Sequence, residues 1–318
     1  MSIVEKAAAK LKALQPEPTQ APQYEEIVRE DVVPAQPSPT IERLYVEEPA
    51  PQVDAVATEE EPYRVHIDYD ALLRAWGLPG DSESIGRLAN EMRRVKLPLL
   101  HNATGRNVDA PEFADRIMIT SAVVGEGKTF TSLNLALSLA HEPDFEVLLV
   151  DADIPKFDVT RTLGLEGRPG LVDLLLDERQ RADQLILASD VPNLSILPAG
   201  QRHPLATELF GGQRMARVLD ELADSRRQRL IVFDTAPLLA TPESRVLAAS
   251  MGQVVVVVGA GRTRRYELKA ALDGLGESQY VGLVLNMSRL PALENPYYGN
   301  YGYYGHSQPG VPHYRTAG

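Results

Sequence analysis

The chain contains no cysteine, which excludes disulfide staples, zinc–thiolate centres and cysteine-held iron–sulfur clusters. Basic charge is scarce: 32 lysines and arginines face 44 aspartates and glutamates, a formal net charge of −12. No basic field is available to offset a phosphate backbone, so nucleic acid is excluded as a general partner. Long hydrophobic runs are missing as well. No stretch of roughly 18 or more apolar residues occurs, and no direct membrane span is expected. A secretory signal is also absent. Glu5, Lys6, Lys10 and Lys12 interrupt Ile3, Val4, Ala7, Leu11 and Leu14, and no apolar core region follows. The expectation is a cytoplasmic protein.

What is present divides the chain. With 318 residues, 44% of them apolar, it can hold one large α/β domain plus extensions. Residues 1–14 predict a short amphipathic helix, with Ser2 and Glu5 at capping-box spacing and Ile3, Ala7, Leu11 and Leu14 on one face. So short a helix needs a partner surface; a frayed terminus is the other reading. Residues 15–66 are rich in proline and acidic side chains, the composition of a disordered tether. The folded domain is expected over 67–290, with a helical extension over 67–110. There Ile85, Leu88, Met92 and Val95 recur at helical spacing and Pro98 ends the pattern. Residues 291–318 lose all periodicity and form a Gly- and Tyr-rich tail.

Within the domain, short apolar runs alternate with helical stretches. Strands are expected at 117–122, 147–151, 194–197, 230–234, 254–258 and 281–285, and helices at 129–140 and 205–224. This alternation predicts a doubly wound, mostly parallel α/β sheet with its ligand at the carboxyl ends of the strands.

The first strand runs into Ala122-Val123-Val124-Gly125-Glu126-Gly127-Lys128-Thr129 and a helix follows. That order is what a phosphate-binding loop requires. Gly125 and Gly127 let successive N–H groups turn inward, and the helix N-terminus adds partial positive charge. Lys128 supplies a full charge for the β- and γ-phosphates of ATP, and the Thr129 hydroxyl is a magnesium ligand candidate. The cofactor-binding set is Val124, Gly125, Glu126, Gly127, Lys128, Thr129 and Phe130. The usual pattern opens on glycine, where this chain has Ala122. Two further strands end in acids, Asp151 with Asp153 close behind, and Asp234. At those strand ends carboxylates can hold the magnesium shell; capping the next helix is the alternative.

These three segments, Val-Gly-Glu-Gly-Lys-Thr, Leu-Leu-Val-Asp-Ala-Asp and Ile-Val-Phe-Asp-Thr-Ala-Pro, resemble the Walker A, A′ and B motifs of the bacterial tyrosine kinases of capsule and exopolysaccharide synthesis. The likeness continues through Leu197-Pro198-Ala199-Gly200 and Val284-Leu285-Asn286, and the opening Met-Ser-Ile-Val-Glu-Lys-Ala resembles the exosortase-associated branch. The resemblance implies a P-loop NTPase fold of the ParA/MinD-like class and an ATP-dependent tyrosine autokinase. Lys128, Asp151, Asp153 and Asp234 would be catalytic and Thr129, Asp151, Asp153 and Asp234 would hold magnesium. Asp153 would approach the incoming tyrosine as base or second metal contact, and Asn286 would contact adenine. It also implies autophosphorylation at Tyr297, Tyr298, Tyr301, Tyr303 and Tyr304, a homo-oligomer acting in trans, and a separate membrane chain-length determinant as partner at the inner face of the membrane.

Several residues depart from the family pattern. Pro155 stands where the A′ motif carries arginine, and Glu91 and Arg94 of the subunit-contact helix are followed by Leu97. The alternative is a ParA/MinD-like positioning ATPase without kinase activity. Its signature lysine is replaced by Val123, and its basic carboxy-terminal helix is missing.

Overall fold

The expected strands form because each is a continuous apolar run that can be covered on both faces. The computed structural model describes residues 63–288 except 106, 204–205, 224–227 and 277–278. The expected helix at 1–14, nearly all of the tether and the tail with its five candidate acceptor tyrosines lie outside the described residues. Two helices come first, α1 (Tyr69–Ala75) and α2 (Ser82–Ala103). Then follow β1 (Arg116–Ser121), α3 (Lys128–Ala140), β2 (Glu146–Ala152), α4 (Asp158–Thr162), α5 (Leu171–Leu176), α6 (Ala182–Leu185), β3 (Leu187–Ala188) and β4 (Leu194–Leu197). The remainder is α7 (Ala206–Leu209), α8 (Gln213–Ala223), β5 (Arg229–Thr235), α9 (Pro242–Ala248), β6 (Gln253–Gly259), α10 (Arg265–Leu272) and β7 (Tyr280–Asn286).

The sheet order is β3-β4-β2-β5-β1-β6-β7. Every neighbouring pair is parallel except β3 with β4. From β1 the chain first builds one side of the sheet, then returns to add β6 on the other. The loop after β1 therefore sits at a topological switch point, where open α/β sheets bind ligands. Register brings Asp151 opposite Asp234, and Ile119 opposite the same Asp234. Alternate side chains go to opposite faces. Met118, Leu148, Val150 and Phe233 pack with Met215, Val218 and Leu222 of α8, while Ile117, Ile119, Leu149 and Val232 pack with Leu135 and Leu139 of α3.

Two expectations about helices need correction. Pro98 does not end α2, which continues to Ala103. Proline removes one intrahelical hydrogen bond, but the last turn is held from outside. Leu99 is buried, Asn102 Nδ2 donates to Gln253 Oε1 at 2.9 Å, and Gln253 Nε2 donates to the Leu99 carbonyl at 3.1 Å. Lys96 is buried on the same helix, donating to the Ser138 carbonyl at 2.8 Å and pairing with Glu142 at 2.6 Å. The stretch expected as one helix over 205–224 is two, α7 and α8, separated at Gly211-Gly212. Val65, within the residues expected as tether, bridges Ser189 in parallel. Among the described residues no helix is long and apolar enough to cross a membrane.

Candidate functional site

The loop between β1 and α3 is shaped by two glycines with positive φ, Gly125 at +84° and Gly127 at +91°. At Gly127 a side chain is excluded twice over: by the backbone angle, and because a Cβ would lie 2.1 Å from Asn286 Nδ2. Ala122, the departure from the usual glycine, has no positive φ and its methyl is fully buried in the core. The position tolerates a side chain, so the loop forms without glycine there.

The side chain of Glu126, one of the expected nucleotide contacts, turns back into the protein. Its carboxylate accepts the Val123 N–H at 2.7 Å, the Gly259 N–H at 2.9 Å and the Thr263 hydroxyl. Two donors, from the end of β6 and the loop after it, thus brace the phosphate loop against β6, and the third closes the loop on itself. Asn286, paired with Gly259 across β6 and β7, adds to the brace, donating to the Glu126 carbonyl at 2.9 Å and accepting the Met287 N–H at 2.8 Å. Arg262 donates to the Gly125 carbonyl at 3.2 Å. Sequence alone did not single out Arg262 or Thr263, which meet the loop from 137 residues away.

Lys128 and the acids converge beneath this loop. Lys128 is buried with its Nζ 3.5 Å from Asp153 Oδ2. Neither carboxylate oxygen of Asp153 has a hydrogen-bond partner. Burial raises the Asp153 pKa and the Lys128 charge opposes that rise. Asp234 accepts the Thr129 hydroxyl at 2.7 Å and the Ser132 hydroxyl at 2.8 Å. Ser132 was also missed; it lies one helical turn beyond Lys128, a spacing that could have flagged it. Burial, followed by repulsion from Asp151, pushes the Asp234 pKa up to about 7. Burial likewise raises Asp151 to about 6, although it accepts the Thr160 N–H at 2.8 Å, the Thr160 hydroxyl at 2.7 Å and the Asp153 N–H at 3.2 Å. Both oxygens of Asp151 are thus engaged by the protein itself, and Thr160 passes the connection on by accepting the Ala199 N–H at 2.9 Å.

No group of three His, Cys, Asp or Glu among the described residues forms a ready-made metal cage. Magnesium does not need one, because it is held by one or two protein ligands plus substrate phosphates and waters. The site fits such an ion: a buried carboxylate on Asp153 that accepts no hydrogen bond, and the Asp234 carboxylate beside the Thr129 hydroxyl, lie next to a phosphate cradle. A cavity of about 390 Å³ opens against the cradle, lined by Gly125, Gly127, Lys128 and Thr129, by Trp76, Leu78, Phe130 and Met287, and by Lys156, Asp158 and Asn286. Val124 is exposed at the loop's tip. At the A′ departure the Pro155 carbonyl accepts Arg202 at 3.1 Å, so an arginine from after β4 sits beside that position.

Comparison with known proteins agrees with this geometry. Residues 114–270 match the family model described as an AAA domain. Tyrosine-protein kinase YwqD of Bacillus subtilis is 32% identical over 191 residues, which cover 59% of this chain and 77% of that one. Tyrosine-protein kinase CpsD of Streptococcus agalactiae is 30% identical over 205 residues, covering 63% and 88%. The crystal structure of the VpsO kinase domain superposes with a TM-score of 0.50 at 33% identity, covering 61% of this chain and 97% of that one. Identity of this extent, carried across most of the length of both curated kinases, shows that the chain belongs to the bacterial tyrosine-protein kinases.

Proposed function

We propose that this tyrosine kinase transfers the γ-phosphate of ATP to its own tail tyrosines, Tyr297, Tyr298, Tyr301, Tyr303 and Tyr304, using the loop of residues 122–129 as the phosphate cradle. The observation that carries this reading is the buried Lys128–Asp153 ion pair at 3.5 Å, with neither Asp153 oxygen engaged in a hydrogen bond. A phenol of pKa about 10 is a poor nucleophile at neutral pH and needs positioning and a proton acceptor. In the transfer, the phenol oxygen bonds to the γ-phosphorus, the bond from phosphorus to the departing ADP oxygen breaks, and the phenolic proton passes to Asp153. Lys128 stabilises the charge spread over the transferring group. Thr129 and Asp234 would hold magnesium, which when bound neutralises charge on the β- and γ-phosphates. Asp151 acts through Thr160 and the Asp153 backbone, keeping the acids in register.

The domain assignment follows from the same reading: a kinase domain over 67–290, a tether before it and an acceptor tail after it. The regulatory target is exopolysaccharide synthesis, the activator a separate membrane chain-length determinant, and the location the inner face of the membrane. The support is the resemblance of the three motifs and the family membership. A second copy as partner is supported by edge strand β7, where Val281, Leu283 and Leu285 stand exposed on one face.

Incubating the protein with ATP and magnesium, then mapping phosphotyrosine by mass spectrometry, tests the proposal. Signal is expected on residues 297–304, is abolished in Lys128→Met and is lost from a chain ending at 288. Phosphotyrosine that survives in Lys128→Met would contradict it.

A further inference from the structure

The cavity beside the phosphate loop is lined by chemically different sets of residues. One set is Gly125, Gly127, Lys128 and Thr129 of the loop and helix start, suited to phosphates; another is Trp76, Leu78, Phe130 and Met287, suited to a flat apolar group, with Lys156, Asp158 and Asn286 completing the lining. Trp76 is the chain's one tryptophan. It stands half-buried with its ring 5.0 Å from that of Phe130, at 87° in an edge-to-face contact. Phe130 directly follows Thr129, so the indole is coupled to the first turn of α3.

The position of the indole is built in. Trp76 is the C-cap of α1, and Gly77 follows at φ +68°. The Gly77 N–H donates to the Arg74 carbonyl at 3.0 Å and the Leu78 N–H to the Leu73 carbonyl at 2.9 Å, a Schellman closure. Nothing lies within 4 Å of where a Gly77 Cβ would be, so glycine serves the backbone angle alone. The helix behind the turn is fastened to α3 by the Tyr69 hydroxyl, donating to Asn134 Oδ1 at 2.8 Å, and to α2 by buried Leu73 packing with Leu88 and Met92. Meanwhile Asn286, expected as the base contact, already uses its amide on Glu126 and Met287.

We propose that Trp76 binds the purine base of the nucleotide by stacking, which makes residues 69–78 a base-recognition element supplied from before the first strand. This rests on the reading of residues 122–129 as the phosphate cradle. Stacking uses the face that every base possesses, so Trp76 contributes affinity for the nucleoside end and none for phosphate.

Calorimetric titration of the full chain with magnesium–ADP and with inorganic tripolyphosphate separates the two ends. Trp76→Ala should weaken ADP binding about tenfold or more, within the range for loss of one base–aromatic stack, and leave tripolyphosphate binding unchanged. Trp76→Phe should recover most of the ADP affinity. In the unaltered protein, indole emission should shift with ADP and stay constant with tripolyphosphate. Equal weakening of both ligands in Trp76→Ala would mean a purely structural role and overturn the proposal, as would unchanged ADP binding. If the unaltered protein bound neither ligand, the phosphate-cradle reading itself would fail and this proposal with it.

Discussion

At Asp151 and Asp234 the sheet buries two carboxylates opposite one another, and their pKa values rise to about 6 and about 7 from an ordinary 3.8. An acid whose folded pKa is raised holds its proton more tightly when folded. Its contribution to stability is therefore complete below the unfolded value and is lost as pH rises through the folded one. The ligand-free protein should lose stability between about pH 4 and pH 7. Magnesium requires the ionised forms, so the increase in melting temperature produced by magnesium–ADP should be larger at pH 8 than at pH 5.5. Differential scanning calorimetry at both pH values checks this; an equal increase would argue against an ionised Asp234 under the bound ion. Ala122 carries a second residue-level prediction. Because its φ suits an L side chain and its methyl is buried, Ala122→Gly should not raise kinase activity. It should cost about 1–2 kcal/mol in urea denaturation, from lost burial and added backbone entropy.

Element by element, the sequence was most legible where both faces of a strand are covered. All six parallel strands were readable from apolar runs, and β4 fell on the expected residues. The two-residue β3 was not readable, being too short to carry a pattern. The extension of α2 past Pro98 was hidden because a helix-breaking residue was outweighed by Asn102 and Gln253, which are 151 positions apart in sequence. The site divides in the same way. Gly125, Gly127, Lys128 and Thr129 are local and stand out in one segment. Arg262, Thr263 and Trp76 reach the loop through tertiary contacts that no spacing rule encodes. The inward turn of Glu126 was missed for the same reason, since its partners lie at the far end of β6. One junction offers a direct test of element packing. At Gly170 a Cβ would lie 2.0 Å from the Pro198 carbonyl oxygen and 2.7 Å from the Gly200 nitrogen, both backbone atoms that cannot yield cheaply. Gly170→Ala should destabilise the fold by about 2–4 kcal/mol in urea denaturation. Its effect on phosphate transfer should follow from unfolding alone.

In the whole molecule, a P-loop sheet leads toward the tyrosine-bearing tail through residue 288, immediately after the Asn286–Met287 turn that braces the phosphate loop. A mixture tests the trans arrangement. Lys128→Met protein, with its tail intact, should gain phosphotyrosine only when combined with active protein truncated after 288. Detection by mass shift, with each partner alone as control, reads this directly. The central claim is that the buried Lys128–Asp153 site delivers phosphate to tyrosine rather than to water. Its most direct measurement follows the γ-phosphate of labelled ATP and reports how it divides between protein tyrosine and free phosphate. The account predicts label on residues 297–304, abolished by Lys128→Met and strongly reduced by Asp153→Asn. Steady release of free phosphate with no labelled tyrosine would contradict it and point to a nucleotide-switched ATPase.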